Sequence, residues 1–363
     1  MSSPSRVRSR AGQIPDPRDV FGVPFVPSVT MMRGQRAVRR ILGQVLRKAA
    51  LPPLAIQDAL AGMHDHRVIG LLVELGIPDH LDPPLTAQDL ARKLDLDEEP
   101  LERVLRFAAA RGFVASRSRG RYGLTGVSRF LRRDHPQSWA DNVLRLTSAE
   151  FWQRWRDLDL SVGLRADART EPTGPENDVA GTTIQALALS LNVDWSDVTT
   201  VCDVGGGKGT ALSILLHAHP HLRATLLDRQ PVLDLAARSL PPHVLERTEL
   251  LEADFTATVP AGFDRYLLMA VMAISDDQKA SAVLRATAAA MDGRARLLVV
   301  DNLLSPRPTD EFAQRTDLML LALHGGQERT ERQTRDLFER CGLTIAGRHE
   351  LITGSVAFEL LRT

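Results

Sequence analysis

The chain has 363 residues, enough for two or three domains with substantial cores, and its 45 Lys plus Arg offset 45 Asp plus Glu, with 44% hydrophobic and 25% charged residues. These values exclude a small disulfide scaffold, a disordered chain, and a protein drawn as a whole to nucleic acid or an anionic membrane. The charge is unevenly placed, however: residues 1–50 hold ten basic side chains against two acids, which leaves 35 basic against 43 acidic in the remainder.

Residues 1–30 read as an extended arm rich in Pro, Ser and Arg. Pro4, Pro15, Pro17, Pro24 and Pro27 oppose an amphipathic targeting helix there, and neither a signal-peptide apolar region nor a run long enough to span a membrane is found. In Gln35–Ala49 the residues Val38, Ile41, Leu42, Val45 and Leu46 recur at helical spacing among Arg36, Arg39, Arg40, Arg47 and Lys48, so a basic amphipathic helix is predicted. Its expected destination is a partner subunit or the next domain, since acidic partners are available within the same chain. Residues 1–50 form a first segment, 51–145 a domain, 146–195 a helical linker, and 196–363 a second domain. Cys202 and Cys341 lack disulfide or metal spacing, so a reducing, cytoplasmic setting is expected.

Within 51–145 the period predicts helices over Leu60–Leu75, Leu85–Leu94 and Pro100–Arg111, then short strands Phe113–Ser116 and Arg121–Leu124 about a basic turn. This is a helix-turn-helix with a wing. Such a module can read DNA, but Asp95, Asp97, Glu98 and Glu99 stand where its last helix would meet phosphates, which argues against nucleic acid as a partner. Residues 152–192 are mixed, with a polar loop predicted at Ala166–Asp178. From Val198 strands alternate with helices, at Val201–Val204, Arg223–Leu227, Thr248–Glu252, Arg265–Met269 and Arg296–Val300, which predicts an α/β domain with a parallel, doubly wound sheet.

The loop Asp203-Val-Gly205-Gly-Gly207-Lys-Gly209 follows the first of these strands and opens a helix. Thr210 stands where the dinucleotide fingerprint wants Gly or Ala, and Gly209 stands where a phosphate-binding Walker loop wants Ser or Thr, so both phosphate readings weaken. A ligand without phosphate suits the loop better: its ammonium group can meet carbonyls or a carboxylate near the turn. Asp228, ending the next strand, is placed to accept from both ribose hydroxyls, Asp254 from an adenine amino group, and Phe255 to pack on the ring.

With Ala253-Asp-Phe255, the Asp276-Asp277 pair and Gly325-Gly-Gln-Glu-Arg-Thr330, residues 50–363 resemble the small-molecule O-methyltransferases of the caffeate and acetylserotonin type. The resemblance implies S-adenosylmethionine as cofactor, a Rossmann-like C-terminal domain, and a winged-helix front domain that builds a homodimer and helps wall the substrate pocket. It also implies a histidine base shortly before the Asp276-Asp277 pair. This chain has Ala273 there, and Ala cannot accept a proton. A missing base costs about 10²–10⁴ in rate when the nucleophile must be deprotonated, and less for an amine or an ionised acid.

Asp301 and Glu328 match the acidic positions that steady that histidine in the family, and His324 lies four residues before Glu328; these three are the candidates for proton handling or for binding a cationic substrate. Trp152, Met269, Met272 and Met319 are candidates for an apolar substrate surface, with core packing the alternative for each methionine. His217, His219 and His221 do not converge on one face, His64 and His66 are no better, and no metal site is expected. Three functions stay open: methylation of oxygen, nitrogen or carbon on a small secondary metabolite; a repurposed enzyme that keeps the cofactor but performs cyclisation, decarboxylation or hydroxylation; and a ligand-sensing DNA-binding regulator.

Overall fold

The computed structural model describes residues 34, 35, 37, 38, 41–43, 52–136, 138–158, 182–304, 311–351 and 355–363. The chain divides into two compact units, one drawn from residues 34–170 and 321–323, the other from 1–33, 171–320 and 324–363.

In the N-terminal unit the described residues between 34 and 43 are helical, as the period predicts, and Val38, Ile41 and Leu42 are more than half exposed. The remainder of the basic arm, and with it the surface expected to receive it, lies outside the described residues. Helix α1 (Pro52–Glu74) starts earlier than the apolar period suggests; its Ile56, Leu60 and Met63 are exposed, while Leu72 and Val73 are buried. The predicted Leu85–Leu94 helix begins only at Ala87 (α2, Ala87–Leu94), because Thr86 is its cap: the Thr86 hydroxyl accepts the Asp89 N–H at 3.1 Å. Leu85 and Thr86 instead form strand β1 (Leu85–Thr86). Helix α3 (Glu98–Ala110) follows with Asp97 as N-cap and Glu98 and Glu99 in its first turn, where the helix dipole favours acids. Strands β2 (Val114–Arg117) and β3 (Arg121–Leu124) close the wing in the order β1-β3-β2, over a core of Leu72, Ile77, Leu90 and Leu105. Helices α4 (Ala140–Leu146) and α5 (Ala149–Arg156) come next, and the predicted Ala166–Asp178 loop lies outside the described residues.

The second unit begins at α6 (Thr182–Asn192) and alternates β4 (Thr200–Val204), α7 (Thr210–Ala218), β5 (Arg223–Asp228), α8 (Gln230–Ser239), β6 (Thr248–Glu252), β7 (Arg265–Met269), α9 (Asp277–Ala290) and β8 (Arg296–Leu304). These strands pair in parallel in the order β6-β5-β4-β7-β8, so the predicted doubly wound sheet is present. Alternate residues serve opposite faces: Leu267 and Leu298 join a core with Leu212 and Leu215 of α7, while Leu268 and Val299 join one with Val283 and Leu284 of α9. Burial on both faces explains the continuous apolar runs of these strands.

The sheet is not purely parallel. After α10 (Glu311–His324), the two-residue β9 (Arg329–Thr330) and α11 (Glu331–Arg340), strands β10 (Leu343–Glu350) and β11 (Ser355–Arg362) form an antiparallel hairpin, and β11 lies antiparallel against β8. Strand β8 also runs to Leu304, four residues past its predicted end, and β9 pairs with that extension, setting Arg329 beside Leu303.

Candidate active site

Two groups of buried carboxyls lie at the carboxyl ends of the parallel strands, the edge where open α/β sheets bind ligands. The first group is built on the glycine loop. The Gly205 N–H donates to the Leu227 carbonyl at 2.8 Å, tying the loop to β5, and the Gly207 N–H donates to Asp228 Oδ2 at 3.0 Å. Asp228 Oδ1 accepts the Arg229 N–H at 2.8 Å, so both oxygens of this buried carboxyl are held by main chain. Gly207 has φ +59, and the space a Cβ would occupy there is open; glycine serves both the turn and the free approach to the loop. The Phe255 ring lies beside Gly205, 3.3 Å from where its Cβ would be. Asp203 is 1% exposed and its Oδ2 has no hydrogen-bond partner. Burial, with the charge of Asp228 added, pushes its carboxyl up to about 7. Asp254 differs: exposed, it accepts from the Thr256 hydroxyl and N–H, which hold it below the usual carboxylate range.

The second group gathers at the end of β8. Asp301 and Asn302 lie in the C-terminal half of β8, opposite Val356 and Ser355 of β11, and Glu328 immediately precedes β9. Ser355, at the start of β11, donates to Asn302 Oδ1 at 3.1 Å, and Asn302 Nδ2 donates to Glu328 Oε1 at 3.1 Å. Asp317 Oδ1 on α10 accepts the Glu328 N–H at 2.8 Å. Asp301 Oδ1 and Glu328 Oε2 are buried without a partner. Burial first, and then the Glu328 charge, hold Asp301 well above its ordinary value. Burial, with the charge of Asp317, pushes Glu328 up to about 7 against the opposing pull of Asn302 and Arg329.

The turn after β7 is tied to the segment around this second group by main-chain bonds and by one arginine. Ala270 has φ 60, a left-handed conformation uncommon outside glycine, and its N–H donates to the Val300 carbonyl at 3.0 Å. The Ala273 carbonyl accepts the Gln327 N–H at 2.9 Å, and a Cβ on Gly326 would fall 2.2 Å from that oxygen, so only glycine fits. Arg329, 5% exposed, donates to Asp277 and to the carbonyls of Met272 and Ser275, fastening the whole 272–277 turn. The pattern around this arginine spans 57 residues of sequence, so nothing local signals it. Asn302 and Ser355 escaped notice for the same reason.

Of the residues singled out from sequence, Asp203, Gly205, Gly207, Asp228 and Phe255 come together about the glycine loop, and Asp301 with Glu328 at the end of β8. Met269 and Met272 are buried in the two cores, where packing accounts for them, whereas Met319 is half-buried on α10. His324 is half-buried at the last residue of that helix. Trp152 belongs to the N-terminal unit, its indole edge-on to His66 with centroids 4.7 Å apart. His217 faces His243, His219 meets Ser190 and His221 meets the Trp195 carbonyl, while the His219 and His221 rings stand edge-on with centroids 6.1 Å apart; no metal-binding group of three occurs among the described residues. Nor is any described helix long and apolar enough to cross a membrane.

A winged-helix unit joined to a doubly wound sheet with this glycine loop defines a methyltransferase that uses S-adenosylmethionine. Residues 179–344 match the family model of the O-methyltransferase domain, and residues 58–134 that of the O-methyltransferase dimerisation domain. The chain is 33% identical over 310 residues to the mitomycin biosynthesis 6-O-methyltransferase of Streptomyces lavendulae, covering 80% of this chain and 88% of that protein. The solved mitomycin 7-O-methyltransferase superposes with TM-score 0.77 at 31% identity, over 88% of this chain and 100% of the other. An O-methyltransferase of neocarzinostatin biosynthesis, solved with S-adenosylmethionine and 2-hydroxy-5-methyl naphthoic acid, gives TM-score 0.67 at 27% identity, over 84% of this chain and 98% of that one. The chain belongs to the O-methyltransferase family and is an S-adenosylmethionine-dependent methyltransferase. That reading is supported over the non-methylating enzyme and the DNA-binding regulator.

Proposed function

We propose that the protein methylates an O–H or N–H group of a small aromatic or polyketide-like secondary metabolite, as a homodimer built through residues 51–145, in the cytoplasm. The observation that carries the site assignment is the glycine loop, with an open approach at Gly207 beside two buried carboxyls. The donor set fits the cofactor: Asp228, already fixed by two N–H groups, is oriented for a ribose diol; the orphaned Asp203 Oδ2 offers an acceptor to an ammonium group; Phe255 and Asp254 flank the position of an adenine. When bound, S-adenosylmethionine supplies a methyl group on sulfonium: the acceptor atom bonds to that carbon as the C–S bond breaks, and sulfur keeps the electron pair as the thioether S-adenosylhomocysteine.

What this chain contributes is position and dryness. Holding acceptor and methyl donor in line converts a bimolecular displacement into an effectively unimolecular one, worth about 7–11 kcal/mol where alignment is good. Met319 supplies apolar contact to the substrate, and Asp301, Glu328 and His324 are the groups available to handle its proton. Residues 146–195 lead from the dimerisation domain to the cofactor domain of residues 196–363, with α6 at their end already packed in the core of the second unit. Incubating the protein with S-adenosylmethionine and a panel of hydroxy- and amino-aromatic acids, read by mass spectrometry, tests this. A product heavier by one methyl, formed together with S-adenosylhomocysteine, is expected; turnover that leaves S-adenosylmethionine unconsumed overturns the reading.

A further inference from the structure

The carboxyl pair at the end of β8 carries two oxygens with nothing to bond, Asp301 Oδ1 and Glu328 Oε2, in a region too buried to leave both groups ionised. Arg329 acts electrostatically on both, yet its donors are committed to Asp277, Met272 and Ser275. With Asp317 adding a third acid from α10, the pair is compensated best by holding a proton. The surroundings also decide which member gives it up. Asn302 donates to Glu328 Oε1, and Ser355, by donating to the Asn302 oxygen, keeps the amide from turning its oxygen toward the glutamate. A hydrogen bond to the anion favours ionisation, so the negative charge settles on Glu328 while Asp301 stays a neutral acid.

Position matters as much as charge. Gln327 is bonded to the Ala273 carbonyl, so Glu328 is one residue from the turn where the resemblance implies an imidazole and this chain has a methyl group. We propose that Glu328 is the general base of this enzyme: its Oε2 takes the proton from the acceptor O–H or N–H, and Asp301 is a positioning residue that, as a neutral acid, confines the single charge to Glu328.

This rests on the methyltransferase reading above. In the step, the O–H or N–H bond breaks with its proton passing to Glu328, the freed electron pair forms the bond to the methyl carbon, and the C–S pair stays on sulfur. The proton leaves Glu328 for solvent after the products depart, so one proton is released per methyl transferred. A carboxylate poised near neutrality is matched to that task, whereas an ordinary carboxylate is too weak a base.

Two measurements on the full-length chain decide it. Infrared titration with carboxyl-labelled glutamate is expected to show one glutamate ionising near neutrality, absent in Glu328→Gln and moved to higher pH in Asn302→Leu. Methyl transfer is then followed with 4-hydroxybenzoate and with 4-nitrophenol, the latter already ionised at the assay pH. Glu328→Gln is expected to lose about 10²–10⁴ in rate on 4-hydroxybenzoate and less than about tenfold on 4-nitrophenolate, with calorimetric S-adenosylmethionine affinity kept within about threefold. Equal losses on the two phenols, or the selective loss appearing in His324→Ala but not in Glu328→Gln, overturn the proposal. So does a titration without a near-neutral glutamate, whatever the enzyme methylates. If the wild type binds the cofactor and methylates neither phenol, the acceptor class proposed above fails, and the titration alone decides the carboxyl pair.

Discussion

The two carboxyl groups at the sheet's ligand edge solve similar electrostatic problems by different means. In the first, Asp228 is held by two main-chain N–H groups and its neighbour Asp203 is left with an orphan oxygen. In the second, Glu328 is held by an asparagine side chain and its neighbour Asp301 is the orphan. Each pair thus has one bonded member suited to ionise and one unbonded member pushed toward the neutral form. Main chain fixes the pair proposed for the cofactor, so the loop's shape must persist for it to function; side chains fix the pair proposed for the acceptor, so single substitutions reach it directly. A common cofactor and a variable substrate fit that division of labour.

The comparison breaks most visibly at Gly207. Gly207→Trp fills the open approach to the loop and is expected to abolish S-adenosylmethionine binding by calorimetry, while the positive φ costs the fold only about 1–2 kcal/mol in a denaturant melt. On the acceptor side, Arg329→Met removes charge-assisted bonds to the carbonyls of Met272 and Ser275 and should lower stability by about 3 kcal/mol in the same melt, at unchanged cofactor affinity. Retained stability would mean that the turn after β7 is held by main chain alone.

The pH dependence of Asp203 distinguishes the pairs further. Its folded value lies above its unfolded one, so between about pH 4 and 7 the folded state binds more protons, and this group's contribution to stability falls as pH rises through that window. Relative to wild type, Asp203→Asn is expected to flatten the fall in cofactor-free melting stability between about pH 5 and 7, a difference of about 2 kcal/mol. The smallest effect is expected at Asp228. Asp228→Asn keeps one acceptor but loses the charge, and should weaken S-adenosylmethionine about tenfold, or about 1.4 kcal/mol; an unchanged affinity would remove Asp228 from the ribose site.

Local chemistry made much of this legible in the sequence. The glycine loop, the alternation of β4 to β8 with helices, and the acid-guarded start of α3 each announce themselves within a dozen residues, through turn requirements and apolar period. The β10–β11 hairpin did not: β10 alternates exposed and half-buried positions over LTIAGRHE, a weak signal, and its partner is defined only by tertiary pairing with β8. Thr86 was read as helix interior because its capping role depends on which turn comes first. Asp301 and Glu328 were singled out by resemblance. Their sorting into acid and base depends on Asn302 and Ser355, which lie 53 residues apart and are unremarkable in sequence.

The order of the strands has a consequence for the newly made chain. Everything that shapes the cofactor loop, β4 through β6 with their helices, leaves the ribosome early, but Ser355 on β11 is needed to orient Asn302 and through it Glu328. A chain ending before β11 would lose the Ser355 bond together with Val356, Ala357, Phe358 and Leu360 of the two cores, so the setting of Glu328 and the closing of the sheet are one event.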